Sequence, residues 1–117
     1  MSDKESVLII DDEVLITSAL SYYLLSKGYD VKAVNSPKAA LTMTDNEQFD
    51  IVISDIRMEP ISGVEIVDHL RRSGFAGKIV MMSSCFRRFE KELRNLHVDA
   101  ILEKPFDLSS LLKVIRA

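Results

Sequence analysis

The sequence predicts an α/β protein: an open, five-stranded parallel sheet in strand order 2-1-3-4-5 with helices on both faces. The first observation is a set of short apolar runs, rich in Ile and Val, that each stop at a polar group. Val7-Leu8-Ile9-Ile10 stops at Asp11-Asp12, Ile51-Val52-Ile53 at Ser54-Asp55, Ile79-Val80-Met81-Met82 at Ser83-Ser84, and Ala100-Ile101-Leu102 at Glu103-Lys104-Pro105. Such runs read as strands buried on both faces of a parallel sheet. The second is that helical periodicity separates them from end to end, which gives consecutive βα units, and right-handed crossovers between such units require helices on both faces. The third is topological. In the order 2-1-3-4-5, one of the two common solutions, ligands bind at the carboxyl edge where the winding reverses, between strands 1 and 3.

The elements follow in chain order. After the first strand, Val14, Leu15, Ala19, Leu20, Tyr23 and Leu24 recur at helical spacing, and Lys27-Gly28 closes the helix. Tyr29-Asp30-Val31-Lys32-Ala33-Val34 alternates and reads as the second strand. Ser36-Pro37 is a cap followed by proline at the first helical position, opening a helix to about Asn46. The third strand ends at Asp55. Ser62-Gly63-Val64-Glu65 has capping-box spacing, and Val64, Val67 and Leu70 give that helix an inner stripe. Gly74 and Gly77 bracket the turn into the fourth strand. Residues 86–96 read as a charged helix with Phe89 and Leu93 as inward anchors. After the fifth strand, Asp107 caps a last helix carrying Leu108, Leu111, Leu112 and Ile115.

The chain has 117 residues, the size of one domain. With 47% hydrophobic and 28% charged residues and a net charge of −3, it has the composition of a globular protein and lacks the global basic field that direct nucleic-acid binding calls for. No apolar run reaches membrane-span length, and the polar start Met1-Ser2-Asp3-Lys4-Glu5-Ser6 has no signal-peptide pattern. The single cysteine, Cys85, excludes an intrachain disulfide and reads as a buried or bystander thiol ahead of a redox group. These features point to the cytoplasm.

On the predicted sheet Asp11, Asp12 and Asp55 share one crevice. Three ionised, unpaired carboxylates repel one another, and a hard cation with oxygen ligands, Mg²⁺ or Mn²⁺ in its place, is the remedy. A structural reading stands beside it, in which Asp12 caps the first helix and Asp11 ends a strand, and both roles can coexist. Asp55 is the candidate nucleophile, because a carboxylate attacking phosphorus forms an acyl phosphate. Lys104 supplies a long-armed point charge for phosphoryl oxygens. The alternative for it is a solvated strand-end lysine, against which Pro105 argues by demanding an extended or turn backbone. Ser83 offers a hydroxyl to a phosphoryl oxygen, although a lone strand-end serine is commonly structural.

These residues resemble the receiver domain of bacterial two-component response regulators, the family of the chemotaxis response regulator. The resemblance covers nearly the whole chain. It rests on Val7-Leu8-Ile9-Ile10-Asp11-Asp12-Glu13, on Asp55-Ile56-Arg57-Met58 followed by Gly63, on Ser83, and on Lys104-Pro105-Phe106. It implies a flavodoxin-like fold, phosphoryl transfer from a sensor histidine kinase or phosphotransfer protein to Asp55, and Mg²⁺ held by Asp11, Asp12, Asp55 and the Arg57 backbone carbonyl. It also implies a signalling phosphoacceptor that catalyses only its own phosphorylation, from small donors too, and its own dephosphorylation. Three positions depart from the pattern. Glu59-Pro60 replaces the usual Pro-Gly and adds an acid near the site. Ser83 stands for the commoner threonine. Ile101 stands where many members carry a switching Tyr or Phe, which argues against a swinging-ring switch.

By the same resemblance, phosphorylation draws Ser83 toward the phosphate and repacks the segment 86–96, the fifth strand and the last helix, a two-state element biased by new charge. That face is expected to contact an effector domain or partner protein and to support homodimerisation, with Arg87, Arg88, Glu90, Lys91, Glu92 and Arg94 on its exterior. A solvated, ion-paired helix explains those charges equally well. His69 and His97 lack ligand spacing and read as helix surface and loop. Arg57 reads either as a modulator of water access to Asp55 or as an exposed bystander. The domain is expected to span 1–117, and its stop at Ala117 favours the N-terminal part of a longer regulator.

Competing classes fit less well. An Asp-nucleophile, Mg²⁺-dependent phosphohydrolase of the haloacid dehalogenase kind pairs its nucleophile with an Asp two residues later, where this chain has Arg57. A flavodoxin-type cofactor carrier needs a phosphate cradle where this chain has Asp11-Asp12-Glu13. A receiver fold used only as a docking scaffold, unregulated by phosphorylation, is the remaining alternative.

Overall fold

The first strand, β1 (Ser6–Ile10), lies between β2 (Asp30–Val34) and β3 (Ile51–Asp55), and β4 (Lys78–Ser83) and β5 (Ala100–Glu103) extend the sheet beyond β3. The computed structural model describes residues 4–84 and 97–117. All four strand pairings are parallel, in the order β2-β1-β3-β4-β5 expected from the sequence. The helices among the described residues are α1 (Val14–Ser26), α2 (Pro37–Asn46), α3 (Gly63–Arg72) and the C-terminal α4 (Leu108–Arg116). The helix expected over 86–96, with its anchors and charged exterior, and Cys85 lie outside the described residues.

Side chains alternate faces along a strand, and here the alternation builds two cores. Leu8 and Ile10, Val52, Ile79 and Met81 face α2 and α3, where Ala40, Ile66, Val67 and Leu70 meet them. Val7 and Ile9, Ile51 and Ile53, Val80 and Met82 face α1 and α4, where Leu20, Leu24, Leu111 and Ile115 meet them. β1, β3 and β4 are buried on both faces, as their unbroken apolar sequences require. β5, expected to be buried likewise, is only half-buried because it is an edge strand, and it ends at the exposed Glu103. Each fully buried Ile or Leu contributes about 1.5–3 kcal/mol of transfer free energy.

The cap signals resolve unevenly. Ser36 accepts from the Ala39 amide at 3.1 Å. Ser62 and Glu65 close a reciprocal capping box at 3.3 and 2.8 Å. Asp107 occupies the N-cap of α4 but makes no side-chain cap bond. The N-cap of α1 is Glu13 and not Asp12, again without a side-chain cap bond, and the Glu13 amide donates to the Asp11 carboxylate at 2.9 Å. In α3 the interior is taken by Ile66 with Val67 and Leu70, leaving Val64 half-buried. In α1 the apolar pattern misleads. Leu20 and Leu24 are buried, whereas Val14 and Ala19 are exposed and Leu15 is 85% exposed.

Gly63 joins this scaffold to the carboxyl edge. Its amide donates to the Ile56 carbonyl at 2.8 Å, and a Cβ built on it would lie 2.0 Å from the Asp55 carbonyl oxygen. Only glycine lets the start of α3 press against the end of β3. Gly63→Ala is expected to destabilise the domain by about 1–3 kcal/mol in chemical denaturation, the usual cost of overpacking. A change under about 0.5 kcal/mol would show that the α3–β3 contact yields freely.

Candidate functional site

Parallel register sets the geometry. Ile10 pairs with Ser54, so the next residues of each strand, Asp11 and Asp55, emerge side by side at the carboxyl edge. Asp55 ends β3 in register with Met82, and Ser83 ends β4 one residue further on. The Lys104 amide donates to the Ser83 carbonyl at 2.8 Å, carrying the chain from β5 back over that edge. The peptides Glu59–Pro60 and Lys104–Pro105 are both cis.

Asp11, Asp12 and Asp55 come together, with one carboxylate oxygen of each within 4.8 Å of the others. Asp11 is fully buried, Asp55 nearly so, and Asp12 exposed. Lys104 Nζ donates to Asp11 Oδ2 at 2.7 Å and stands 3.5 Å from Asp55 Oδ1. Burial raises the Asp55 pKa, the Lys104 charge and hydrogen bond oppose it, Asp11 and Asp12 reinforce it, and the outcome is about 6 against an ordinary 3.8. For Lys104, burial pushes the pKa down, but the Asp11 hydrogen bond and the Asp55 and Asp11 charges outweigh it, and the value is raised. The ammonium therefore stays charged. Three hard oxygen donors facing a single ammonium fit a cation of the Mg²⁺ type.

Ser83 is buried at its strand end, and Arg57 is exposed two residues beyond Asp55. Glu59, expected to add an acid here, is exposed and does not join the three clustered carboxylates. His97 is exposed, and His69 is half-exposed on α3 with Nε2 3.3 Å from Asp45 Oδ1 of α2, a contact that chain spacing does not reveal. Sequence patterns also miss Asn35 and Thr17. The Asn35 amide donates to the Asp11 carbonyl and to Thr17 Oγ1, each at 2.9 Å.

The apolar flank of the crevice is open. A groove of about 480 Å³ beside Lys104 is lined by Leu15, Ile16, Ala19, Pro105, Phe106 and Leu108. Further along α1, Tyr22 is 81% exposed, and the helix carries no charged residue along its length.

Comparison with known proteins gives a consistent result. Residues 7–116 match the family described as response regulator receiver domain. The chain is 30% identical to the alkaline phosphatase synthesis transcriptional regulatory protein PhoP of Bacillus subtilis, over 87% of this chain and 43% of that protein. It is 30% identical to the response regulator protein FleR of Pseudomonas aeruginosa, over 93% of this chain and 23% of that protein. The chain thus spans about half or less of the length of these curated relatives. Among solved structures it is similar to chemotaxis response regulator CheY4 of Vibrio cholerae (TM-score 0.89, 28% identity, 97% of each chain). It is also similar to response regulator TrrA of Thermotoga maritima in complex with Mg²⁺-BeF (TM-score 0.86, 26% identity, 96% of each chain).

The raised Asp55 pKa sets a direction for pH dependence. Folded Asp55 binds its proton more tightly than unfolded Asp55, so the extra stability is present below pH about 4 and is lost as pH rises through about 6. In EDTA, the stability of the parent minus that of Asp55→Asn is expected to fall by up to about 3 kcal/mol between pH 4 and pH 7. A difference that stays flat across that window would contradict the burial of this carboxylate.

Proposed function

The chain belongs to the response regulator receiver domain family, and from that membership we propose that Asp55 is the phosphoacceptor of a two-component phosphorelay. The observation that carries this reading is the Lys104 ammonium beside both Asp11 and Asp55 at the mouth of a three-carboxylate crevice. With a pKa of about 6, Asp55 is mostly ionised at neutral pH and available as a nucleophile. Its oxygen attacks the phosphorus of a phosphohistidine in line. The O–P bond forms as the P–N bond breaks, and the imidazole leaves with the bonding pair. Lys104 receives the phosphoryl oxygens as a fixed positive charge, and the Ser83 hydroxyl donates to one of them.

Asp11, Asp12, Asp55 and the Arg57 backbone carbonyl would hold Mg²⁺, or Mn²⁺ in its place, which when bound supplies charge neutralisation for the phosphoryl group. The donor set and the Mg²⁺-BeF complex of the related TrrA support this assignment. The same residues serve dephosphorylation, in which water attacks phosphorus and Asp55 leaves as a carboxylate. The protein is then a signalling phosphoacceptor whose only chemistry is on itself.

A donor protein reaching Asp55 must cover whatever flanks it. The uncharged α1 and the groove toward Phe106 offer an apolar wall for that encounter, so we assign the histidine kinase or phosphotransfer partner to this side. Output goes to an effector domain or partner protein through β5 and α4, with homodimerisation on phosphorylation; the segment 86–96, which the sequence assigns to the same output surface, lies outside the described residues. We read 1–117 as one receiver domain, acting in the cytoplasm. No described helix is long and apolar enough to cross a membrane.

The test is incubation with Mg²⁺ and acetyl phosphate, followed by intact mass measurement. A labile gain of one phosphoryl group is expected, absent in Asp55→Asn and slowed roughly 100-fold in Lys104→Met. A folded parent that gains nothing would mark a docking scaffold, and steady turnover of phosphate esters would mark a phosphohydrolase. Leu15→Glu is expected to leave acetyl phosphate labelling unchanged while slowing transfer from any histidine kinase that labels the parent. Equal transfer rates would remove α1 from the docking surface.

A further inference from the structure

Asp11 is constrained at its backbone as firmly as at its carboxylate. Its amide donates to the Val34 carbonyl at 3.2 Å, and its carboxylate accepts from the Glu13 amide and Lys104. The remaining group, the Asp11 carbonyl, accepts from Asn35 Nδ2 at 2.9 Å. The same nitrogen donates to Thr17 Oγ1 at 2.9 Å. Thr17 is buried in α1 and gives its own hydroxyl proton to the Val14 carbonyl at 3.1 Å, so toward Asn35 it can only accept. Both partners are acceptors, and a primary amide, with two N–H bonds on one atom, serves both at once. Aspartate, of the same shape, could serve neither when ionised.

The bridge acts where α1 lacks its usual anchor. Glu13 makes no side-chain cap bond, and the first turn of α1 carries no acid. Asp12, the exposed member of the carboxylate cluster, sits in the short link between Asp11 and that uncapped turn. Asn35 ties one end of the link, the Asp11 carbonyl, to the other, Thr17 in the second turn.

We infer that Asn35 is a positioning residue for the divalent cation held by Asp11, Asp12 and Asp55, an inference that rests on reading that cluster as a metal site. Asn35 touches neither the cation nor the phosphoryl group. It holds the Asp11–Asp12 link in the spacing the donor set needs. Groups that orient metal ligands from behind alter affinity by about 10- to 100-fold when removed. Asn35 itself is exposed, so trimming it leaves no cavity and the fold tolerates the change.

The experiment is a direct binding titration of the unphosphorylated full chain with Mn²⁺, read by electron paramagnetic resonance, and with Mg²⁺, read by calorimetry. Melting in EDTA is measured in parallel. For Asn35→Ala and Asn35→Leu the dissociation constant is expected to rise about tenfold, with the melting temperature in EDTA within a few degrees of the parent. Thr17→Val, which leaves the Asp11 carbonyl bond in place, is expected to show a smaller rise. Asn35 variants that bind metal like the parent overturn the inference. So does a loss of affinity that only follows a collapse of the melting temperature, which would make Asn35 a fold residue. A parent that takes up neither ion is a different failure: the metal reading itself falls, and this inference with it.

Discussion

Lys104 faces two buried carboxylates, and a third acid completes the crevice from the solvent side. Removing carboxylates from water is costly, and one ammonium does not offset three of them. The imbalance is visible in Asp55, whose proton affinity rises despite the adjacent positive charge. A site in this condition favours additional positive charge. It is held open by the scaffold: β1 and β3 are locked in register, Gly63 lets α3 close against Asp55, and the Lys104 amide is tied to the Ser83 carbonyl. Strain in electrostatics is sustained by rigidity in packing.

The two edges of the sheet divide the work. At the carboxyl edge, charged side chains face one another. At the amino edge, cations satisfy backbone carbonyls. Arg71 donates to the carbonyls of Phe75, Gly77 and His97 and pairs with Asp99, whose carboxylate also accepts from the Ile79 amide. Lys78 donates to the carbonyls of Val114, Ile115 and Ala117 at the end of α4. These contacts fix the entry to β4 and β5 from the far side. The strand ends that carry Ser83 and Lys104 are thereby supported from the far side of the sheet as well as by the bond from the Lys104 amide to the Ser83 carbonyl.

Much of this was legible in the chain because the relevant signals are local. Strands that stop at Asp11, Asp55, Ser83 and Lys104 announce their termini, and Ser62 with Glu65 announces a helix start that forms as written. The winding order then places the carboxylates together, since few topologies accommodate consecutive βα units. What escaped depends on distance in three dimensions. Asn35 is one polar residue in a loop, and nothing in its neighbourhood shows that its partners lie at Asp11 and Thr17. The Asp45–His69 contact is hidden for the same reason. The apolar periodicity of α1 locates the helix but not its buried side, because hydropathy reports a wish for burial and not what supplies it, and Leu15 remains in solvent within the chain itself. Asp107 has the right identity and position for a cap but makes no such bond.

The helix without charges has one more consequence. From Val14 to Ser26 there is no ionisable group except the phenols of Tyr22 and Tyr23, so a contact made through that surface feels little of the ionic atmosphere. The acidic crevice of Asp11, Asp12 and Asp55 is governed by it. Concentrated electrolyte would thus weaken cation capture while sparing, or even strengthening, adhesion along α1. On the proposed reading, docking along α1 and cation capture in the crevice answer to different properties of the surrounding solution.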